Sequence, residues 1–272
     1  MVKIAVGQLQ VQRDPEQNLA TIADWAARAA AADARLLVLP EGIIARDPAD
    51  NAYTAEMAQD AEGPFVEGLR RISAQAGIAL AGTVHLREPD GRVRNVFLLL
   101  DRGTTLGSYQ KLHPYDAFGD RESERVAPGD RLPEVVELDG VRLAPIICYD
   151  LRFPDLAVAL ALAGAEVLLC PAAWVRGPLK EHHWETLVTA RALDSTCWVI
   201  GAGEASARNI GNSLVVDPLG VRVAGAGAEP TLFVTEIDTE RVAEARRRLP
   251  VLANRRLPAP GQPEPSPEPT RR

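Results

Sequence analysis

The sequence predicts a single α/β domain whose strands form a mixed sheet or two packed sheets. Short apolar runs such as 2–9 and 36–39 have the character of strands, and the alanine-rich segment 18–34 has apolar residues at helical spacing. The apolar runs 78–85 and 93–100 are joined by a Pro-Asp-Gly turn, as in a hairpin. Hairpins between neighbouring strands disfavour a purely parallel sheet.

Helix and strand boundaries follow from proline, glycine and acidic residues. Asp14-Pro15 provides a start for the first helix, Pro40 closes the strand 36–39, and Gly63-Pro64 opens a second helix that extends to Ala76. Pro218-Leu219-Gly220 predicts a turn between two late strands. The second half has the same alternation of elements, with strands predicted at 141–148, 167–170, 197–202, 212–216 and 232–237 and helices at 154–163, 183–194 and 238–248.

Composition narrows the class of protein. The chain has 272 residues, of which 46% are hydrophobic, so a folded globular domain is expected over residues 1–257. Residues 258–272 are mostly Pro, Glu, Gly and Ser and are predicted to form a disordered tail. The net charge of −7 argues against nucleic acid or an anionic membrane surface as a partner.

The N-terminal residues, the length of the apolar segments and the number of cysteines predict the cellular compartment. The first residues have no sustained apolar stretch before a small-residue cleavage site, so a signal peptide is not expected. No segment approaches the roughly 20 apolar residues of a membrane helix. Three cysteines are an odd number for a disulfide framework, which favours the reduced cytoplasm.

Cys148 is the cysteine whose context suggests chemistry. Cys170 and Cys197 lie inside apolar runs and are interpreted as small buried hydrophobes. Cys148 instead ends an apolar strand and precedes a helix that begins near Pro154. Such a turn exposes a nucleophile at a sheet edge, the helix N-terminus would favour a thiolate, and the Tyr149 N–H could face an oxyanion.

A cysteine nucleophile also needs a base. None of the four histidines has a recognisable papain-like or caspase-like context, and the adjacent His182 and His183 lack a third zinc ligand. Glu41 follows a predicted buried strand, where burial would raise its pKa and suit it to proton transfer. A carboxylate without a chemical role is the alternative. Without further information, a Glu41 that has no chemical role is the favoured interpretation. Lys111 can likewise be interpreted as a solvated lysine.

Three segments together resemble the catalytic motifs of the nitrilase, or carbon–nitrogen hydrolase, superfamily. They are Leu39-Pro40-Glu41, Lys111-Leu112-His113 and the segment 147–154, ICYDLRFP, and they occur in the family's order. The resemblance continues through Pro171-Ala172-Ala173-Trp174 and extends to about Leu257. It implies a four-layer αββα sandwich, usually assembled as a homodimer.

The resemblance also implies roles for individual residues. Cys148 would be the nucleophile, Glu41 the general base and Lys111 the oxyanion stabiliser, with Glu122 positioning the lysine and the substrate. No metal or organic cofactor is expected. Further residues predicted to bind or position an anionic amide substrate are Tyr149, Arg152, Trp174, Arg176 and Lys180. For Arg176 and Lys180 the alternative is that both are solvated loop charges.

Within the superfamily, segments 115–118, 174–184 and 249–252 are similar to the bacterial deaminated-glutathione amidases. This similarity implies hydrolysis of deaminated glutathione to 2-oxoglutarate and cysteinylglycine through a cysteine thioester. An ω-amidase acting on 2-oxoglutaramate is the main alternative, and a nitrilase acting on organic nitriles is less favoured. A non-catalytic protein on the same fold is disfavoured by the intact triad. A serine hydrolase is disfavoured because no Gly-x-Ser-x-Gly occurs.

Overall fold

A computed structural model describes residues 1–257, which form twelve strands and six α-helices. The first half contains, in chain order, β1 (Val2–Gln8), α1 (Pro15–Ala31), β2 (Leu36–Val38), α2 (Tyr53–Glu56), α3 (Pro64–Ala76), β3 (Ala79–Arg87), β4 (Val93–Asp101) and β5 (Thr104–Gln110). The second half contains β6 (Val136–Leu138), β7 (Val141–Pro145), α4 (Pro154–Leu162), β8 (Val167–Ala172), α5 (Lys180–Ser195), β9 (Trp198–Gly203), β10 (Leu214–Val216), β11 (Arg222–Gly225), β12 (Thr231–Ile237) and α6 (Glu240–Arg248).

The strands form two six-stranded mixed sheets. The first has the order β12-β1-β2-β3-β4-β5 and the second β11-β10-β9-β8-β7-β6. In each sheet three adjacent strands are parallel, β1-β2-β3 and β7-β8-β9, and the flanking pairs are antiparallel. The prediction of mixed sheets over a purely parallel one is therefore confirmed.

Alternating side chains on the strands assign the layers. Ile4 and Val6 of β1 belong to a core that also contains Leu168 of the second sheet, whereas Ala5 packs in a separate core with Ile22 of α1. Successive side chains of a strand point to opposite faces, so β1 contacts the second sheet on one face and helices on the other. With α1 and α3 outside the first sheet and α4 and α5 outside the second, the predicted αββα sandwich is confirmed.

Some element boundaries differ from the prediction. The strand predicted at 141–148 ends at Pro145, and the chain enters a 3-10 turn, Cys148–Arg152. The helix predicted from 183 begins three residues earlier, at Lys180. Strands β5 and β11 were not predicted because their largely exposed sequences have no apolar alternation. The predicted disordered tail lies outside the described residues. Within residues 1–257 no helix has the length and apolar character required to cross a membrane.

Candidate functional site

Three strand ends bring Glu41, Lys111 and Cys148 to one cavity. Glu41 follows β2, Lys111 follows β5, and Cys148 follows β7. β5 runs in the same direction as β2 because two antiparallel pairings, β3 with β4 and β4 with β5, separate it from the parallel pair β2 and β3. All three side chains line one cavity that is open to solvent.

The Glu41 carboxylate is buried and accepts three hydrogen bonds. Its Oε1 atom accepts hydrogen bonds from Asn95 Nδ2 and Lys111 Nζ, both at 2.8 Å. Its Oε2 atom accepts one from the backbone N–H of Ala173 at 2.9 Å. Three donors from three separate segments therefore fix the orientation of this carboxylate.

Lys111 lies between two carboxylates. Its Nζ atom donates to Glu41 and, also at 2.8 Å, to Glu122 Oε2, which accepts a further bond from the Tyr115 backbone N–H. Gly129 contacts the lysine's own backbone, and a Cβ at Gly129 would lie 2.5 Å from the Gln110 carbonyl oxygen. Only glycine fits this approach, so the Pro-Gly turn at 128–129 holds the lysine segment in place.

Cys148 occupies a strained turn. Its φ is +44°, in the left-handed region that non-glycine residues rarely adopt. The buried Asp150 carboxylate holds the turn by accepting a hydrogen bond from Ile147 N–H at 3.0 Å. The same carboxylate accepts hydrogen bonds from the Tyr109 hydroxyl at 2.9 Å and the His113 backbone N–H at 3.1 Å. Asp150 thereby ties the turn that carries Cys148 to the segment that carries Lys111.

The charges at the site differ from the expectation for two groups. Burial opposes ionisation of Glu41, but the charge and hydrogen bond of Lys111 outweigh burial and lower the Glu41 pKa to about 2. Burial and the Glu41 charge raise the pKa of the Cys148 thiol well above its ordinary value. The predictions of a raised Glu41 pKa and a favoured Cys148 thiolate are therefore wrong. The free site holds a carboxylate, an ammonium and a neutral thiol.

The remaining predicted residues divide into two groups. Glu122, Trp174 and Lys180 line the cavity with the three central residues. Tyr149, Arg152 and Arg176 are not among its lining residues. Tyr149 lies in the first turn of the 3-10 segment, where a backbone N–H lacks a partner within the helix, so its N–H remains a candidate oxyanion donor.

The two predicted arginines have different surroundings. The Arg152 guanidinium stacks over the Trp174 ring at 4.9 Å, and its Nε and Nη2 atoms are buried without a hydrogen-bond partner among residues 1–257. The Arg176 guanidinium donates to the Ser206 carbonyl oxygen at 3.2 Å and lies 3.8 Å from Glu181. Arg176 is thus directed toward neighbouring loop and helix groups outside the cavity.

Several site residues were not predicted. His85 lines the cavity, and burial lowers its pKa to about 3, so it is neutral. Asn95 is a buried polar residue on β4, and its position between Val93 and Phe97 on one face of the strand was the available sequence signal. Arg46, Arg125 and Arg208 also line the cavity. Their loops have no pattern that distinguishes them from other surface arginines.

This arrangement is suited to acyl transfer. A carboxylate beside a neutral thiol can accept its proton, and an ammonium and a backbone N–H can stabilise an oxyanion. The Lys111 pKa is well above its ordinary value, because the Glu122 and Glu41 carboxylates outweigh the opposing effect of burial. Lys111 therefore remains a cation throughout the physiological pH range.

Comparisons with known proteins agree with this chemistry. The profile of the carbon–nitrogen hydrolase family matches residues 3–247. A deaminated glutathione amidase of Escherichia coli O157:H7 is 46% identical over 257 residues, which cover 94% of this chain and 98% of that protein.

Two solved structures have the same fold. Saccharomyces cerevisiae Nit3, a member of branch 10 of the nitrilase superfamily, has a TM-score of 0.80 at 26% identity and covers 92% of this chain and 94% of its own. A mutant of the amidase from Nesterenkonia sp. AN1, with acrylamide added at its active site cysteine, has a TM-score of 0.78 at 29% identity. That match covers 92% of this chain and 98% of the amidase.

Proposed function

The chain belongs to the carbon–nitrogen hydrolase family, and we propose that it hydrolyses deaminated glutathione to 2-oxoglutarate and cysteinylglycine. The observation that carries the proposal is a cavity lined by Cys148 and by the buried Glu41–Lys111 ion pair, in a chain 46% identical to a deaminated glutathione amidase. The enzyme class is a hydrolase that acts on carbon–nitrogen bonds of linear amides.

The proposed acylation step begins with the thiol of Cys148 in its neutral form. Glu41 accepts the thiol proton while sulfur attacks the amide carbonyl, and the Lys111 ammonium with the Tyr149 N–H stabilises the oxyanion. Because the Glu41 pKa is low and the thiol pKa is high, this transfer is unfavourable until the oxyanion forms beside Lys111. Glu41 then gives the proton to the amide nitrogen, the C–N bond breaks, and cysteinylglycine leaves.

The proposed deacylation step uses the same groups in reverse. A thioester joins the 2-oxoglutaryl group to Cys148, and water enters the position that the amine has left. Glu41 takes a proton from the water while the water oxygen attacks the thioester carbonyl. Lys111 again stabilises the oxyanion. The C–S bond breaks, the proton passes to sulfur, and 2-oxoglutarate leaves.

The proposed site for the 2-oxoglutaryl carboxylate is centred on Lys180. This lysine is 5% exposed, and no carboxylate lies within salt-bridge distance of it among residues 1–257. Its Nζ atom donates to the Tyr115 hydroxyl at 3.0 Å and lies 3.8 Å from the Phe118 ring centroid. A buried ammonium without a protein counter-ion favours an anionic ligand.

The test is a steady-state comparison of two substrates that share an acyl group. Purified enzyme is assayed on deaminated glutathione and on 2-oxoglutaramate, with release of 2-oxoglutarate as the common signal. The proposal expects kcat/KM to be at least about ten-fold higher on deaminated glutathione. A preference for 2-oxoglutaramate would instead identify an ω-amidase, and no 2-oxoglutarate from either substrate would contradict both assignments.

We also propose that the enzyme is a cytoplasmic homodimer. The three cysteines are free thiols in residues 1–257, which supports a reducing compartment. Exposed apolar side chains support an interface, since Leu193 of α5 lies against Gly220, close to the exposed Leu219, Val221 and Val223. Sedimentation equilibrium of wild type and of Val221→Glu tests the dimer, and the variant is expected to weaken it.

A further inference from the structure

The mouth of the cavity contains a second set of positive groups. Asp120 accepts hydrogen bonds from Arg125 Nη2 at 2.7 Å and Asn51 Nδ2 at 3.1 Å, and Arg208 Nη2 lies 4.0 Å away. These four residues line the same cavity as Cys148. The Arg125 and Arg208 side chains are each 28% exposed, compared with 2% for Lys111, so they are at the solvent side of the site.

The charges at this mouth do not cancel. Arg125 and Arg208 share the single carboxylate of Asp120, which leaves one positive charge in excess. Arg46 also lines the cavity, and it forms no salt bridge to a carboxylate within residues 1–257. Its Nη2 atom donates to the Glu41 backbone carbonyl oxygen at 3.1 Å, and its Nε atom is buried without a partner in that range. In a protein of net charge −7, this local excess favours an anion at the mouth.

The order of the reaction separates the two ends of the substrate. The amine leaves first and must depart toward solvent, while the acyl group stays on Cys148 until water attacks. The buried Lys180 therefore suits the carboxylate of the retained acyl group, and the partly exposed arginines suit a group on the departing amine. In an extended cysteinylglycine the terminal carboxylate lies about 7 Å from the scissile nitrogen, too far to contact the groups that surround Cys148.

We propose that Arg208 and Arg125, oriented by Asp120, bind the terminal carboxylate of the leaving dipeptide and so select substrates whose amine ends in a carboxylate. The inference rests on the proposed function and adds the determinant of its leaving-group specificity. A guanidinium binds a carboxylate through two parallel hydrogen bonds. The Arg125 Nη2 atom lies 2.7 Å from Asp120 Oδ1, whereas the Arg208 Nη2 atom lies 4.0 Å from Asp120 Oδ2. The Arg208 guanidinium therefore has more donors available for a ligand.

The test combines one variant with a matched pair of substrates. Arg208→Gln and wild type are assayed on deaminated glutathione and on the same compound with its terminal carboxylate converted to a carboxamide. Wild type is expected to prefer the carboxylate by at least ten-fold in kcat/KM, mainly through KM. For Arg208→Gln, kcat/KM is expected to differ by less than about two-fold between the carboxylate and the carboxamide substrate. Arg131→Gln, whose side chain is 92% exposed, is the matched control and should keep the wild-type preference.

Each outcome decides between the inference and the proposed function. Wild-type turnover of deaminated glutathione without preference for the carboxylate would overturn the inference and leave the function intact. An unchanged preference in both Arg208→Gln and Arg125→Gln would do the same. Absence of wild-type turnover would contradict the proposed function, and the inference with it. The two wild-type measurements remain decisive even if a variant fails to fold.

Discussion

The Nζ atom of Lys111 lies 2.8 Å from Oε1 of Glu41, and both side chains are almost completely buried. Removing one partner of a buried ion pair leaves an uncompensated charge, which is strongly destabilising. Glu122 provides a second carboxylate at the same distance from the lysine. Burial and the Glu41 charge raise the pKa of the Cys148 thiol, which therefore keeps its proton in the free site.

The proposed role of Glu41 predicts the behaviour of Glu41→Gln. The amide keeps the shape of the side chain but cannot accept the thiol proton, so kcat/KM on deaminated glutathione should fall by about 10²–10⁴-fold. Acylation and deacylation should both slow, which single-turnover and steady-state measurements distinguish. Glu124→Gln, at a 62% exposed side chain, is the control and should retain activity. Near-normal kinetics in Glu41→Gln would remove Glu41 from the mechanism.

Lys111→Arg tests whether a compact ammonium is required. The planar guanidinium is larger and cannot occupy the buried position between Glu41 and Glu122 with the same geometry, so a loss of at least about 10²-fold in kcat is expected. Steady-state kinetics measure the loss, and circular dichroism checks the fold. Lys3→Arg, at a partly exposed lysine, is the matched control. A variant with wild-type kcat would show that charge alone suffices.

The left-handed φ of Cys148 predicts a conflict between activity and stability. Cys148→Ala and Cys148→Gly should both lose turnover, since each lacks the nucleophile. Glycine adopts φ of +44° without strain, so Cys148→Gly should be the more stable of the two by up to about 1 kcal/mol. Urea unfolding measures the difference. A less stable glycine variant would contradict the assignment of strain to this turn.

The other two cysteines provide the controls for this experiment. Cys170→Ala and Cys197→Ala should retain turnover and lose about 1–2 kcal/mol of stability from small cavities, because both side chains are fully buried. Iodoacetamide should label Cys148 before either of them, with inactivation in parallel. Labelling of Cys170 or Cys197 in step with inactivation would contradict the choice of nucleophile.

The layers and the three residues at strand ends were predicted through the family resemblance, since the residues alone favoured a Glu41 without a chemical role. Glu41 follows β2 of the first sheet and Cys148 follows the end of β7 in the second, so the packing of the two sheets brings these strand ends to one cavity. The charges could not be predicted in the same way. Whether burial or a neighbouring ammonium controls the Glu41 pKa depends on the 2.8 Å distance to Lys111, 70 residues away in the chain. That distance is a property of the folded sheet.

Contacts between residues on different loops also could not be predicted from the sequence. Arg208 and Asp120 are 88 positions apart and approach each other only because the loops after β5 and β9 share one edge of the sandwich. In the sequence Arg176 and Lys180 are equally suitable for substrate binding, since both follow Trp174 within six residues. Their difference arises from the start of α5 at Lys180, which buries Lys180 and leaves Arg176 beside Ser206 and Glu181.

Asp150 is predicted to act as a positioning residue for Cys148. In Asp150→Asn one carboxylate oxygen becomes an NH₂ group that faces donors from Ile147, Tyr109 or His113, so about 2–3 kcal/mol of stability should be lost. For a domain of this size the melting temperature should fall by about 5–10 °C. Asp155→Asn, at an exposed residue, is the control.

A positioning role makes a second prediction for Asp150→Asn, measured well below its melting temperature. The turnover number should fall by at least ten-fold while KM changes by less than about three-fold, because the cysteine turn shifts and the binding groups stay. Tyr109→Phe, which removes one of the donors, should have a smaller effect of the same kind. Wild-type kcat in the folded Asp150→Asn enzyme would limit Asp150 to a structural role.

The last prediction concerns pH and Lys180. Burial and the nearby Arg152 charge lower the Lys180 pKa below its ordinary value. As pH rises toward that lowered pKa, Lys180 loses its charge earlier than an exposed lysine, so substrate carboxylate binding weakens and KM rises. The kcat/KM profile should therefore decline on the alkaline side. Glu41, with a pKa of about 2, and His85, with one of about 3, keep their charge states between pH 5 and 7 and produce no acid limb there.

Variants at this position separate Lys180 from other titrating groups. Lys180→Arg should keep its charge and move the alkaline decline to higher pH, whereas Lys180→Met should lose at least ten-fold in kcat/KM and lack that decline. Arg176→Ala is the control and should stay within about two-fold of wild type, because Arg176 bonds to Ser206 and approaches Glu181 outside the cavity. Profiles of kcat and of kcat/KM from pH 5 to pH 10 measure these effects. If kcat/KM of Lys180→Met declines at the same alkaline pH as that of wild type, the titrating group is not Lys180. Lys180 would then have no role in carboxylate binding.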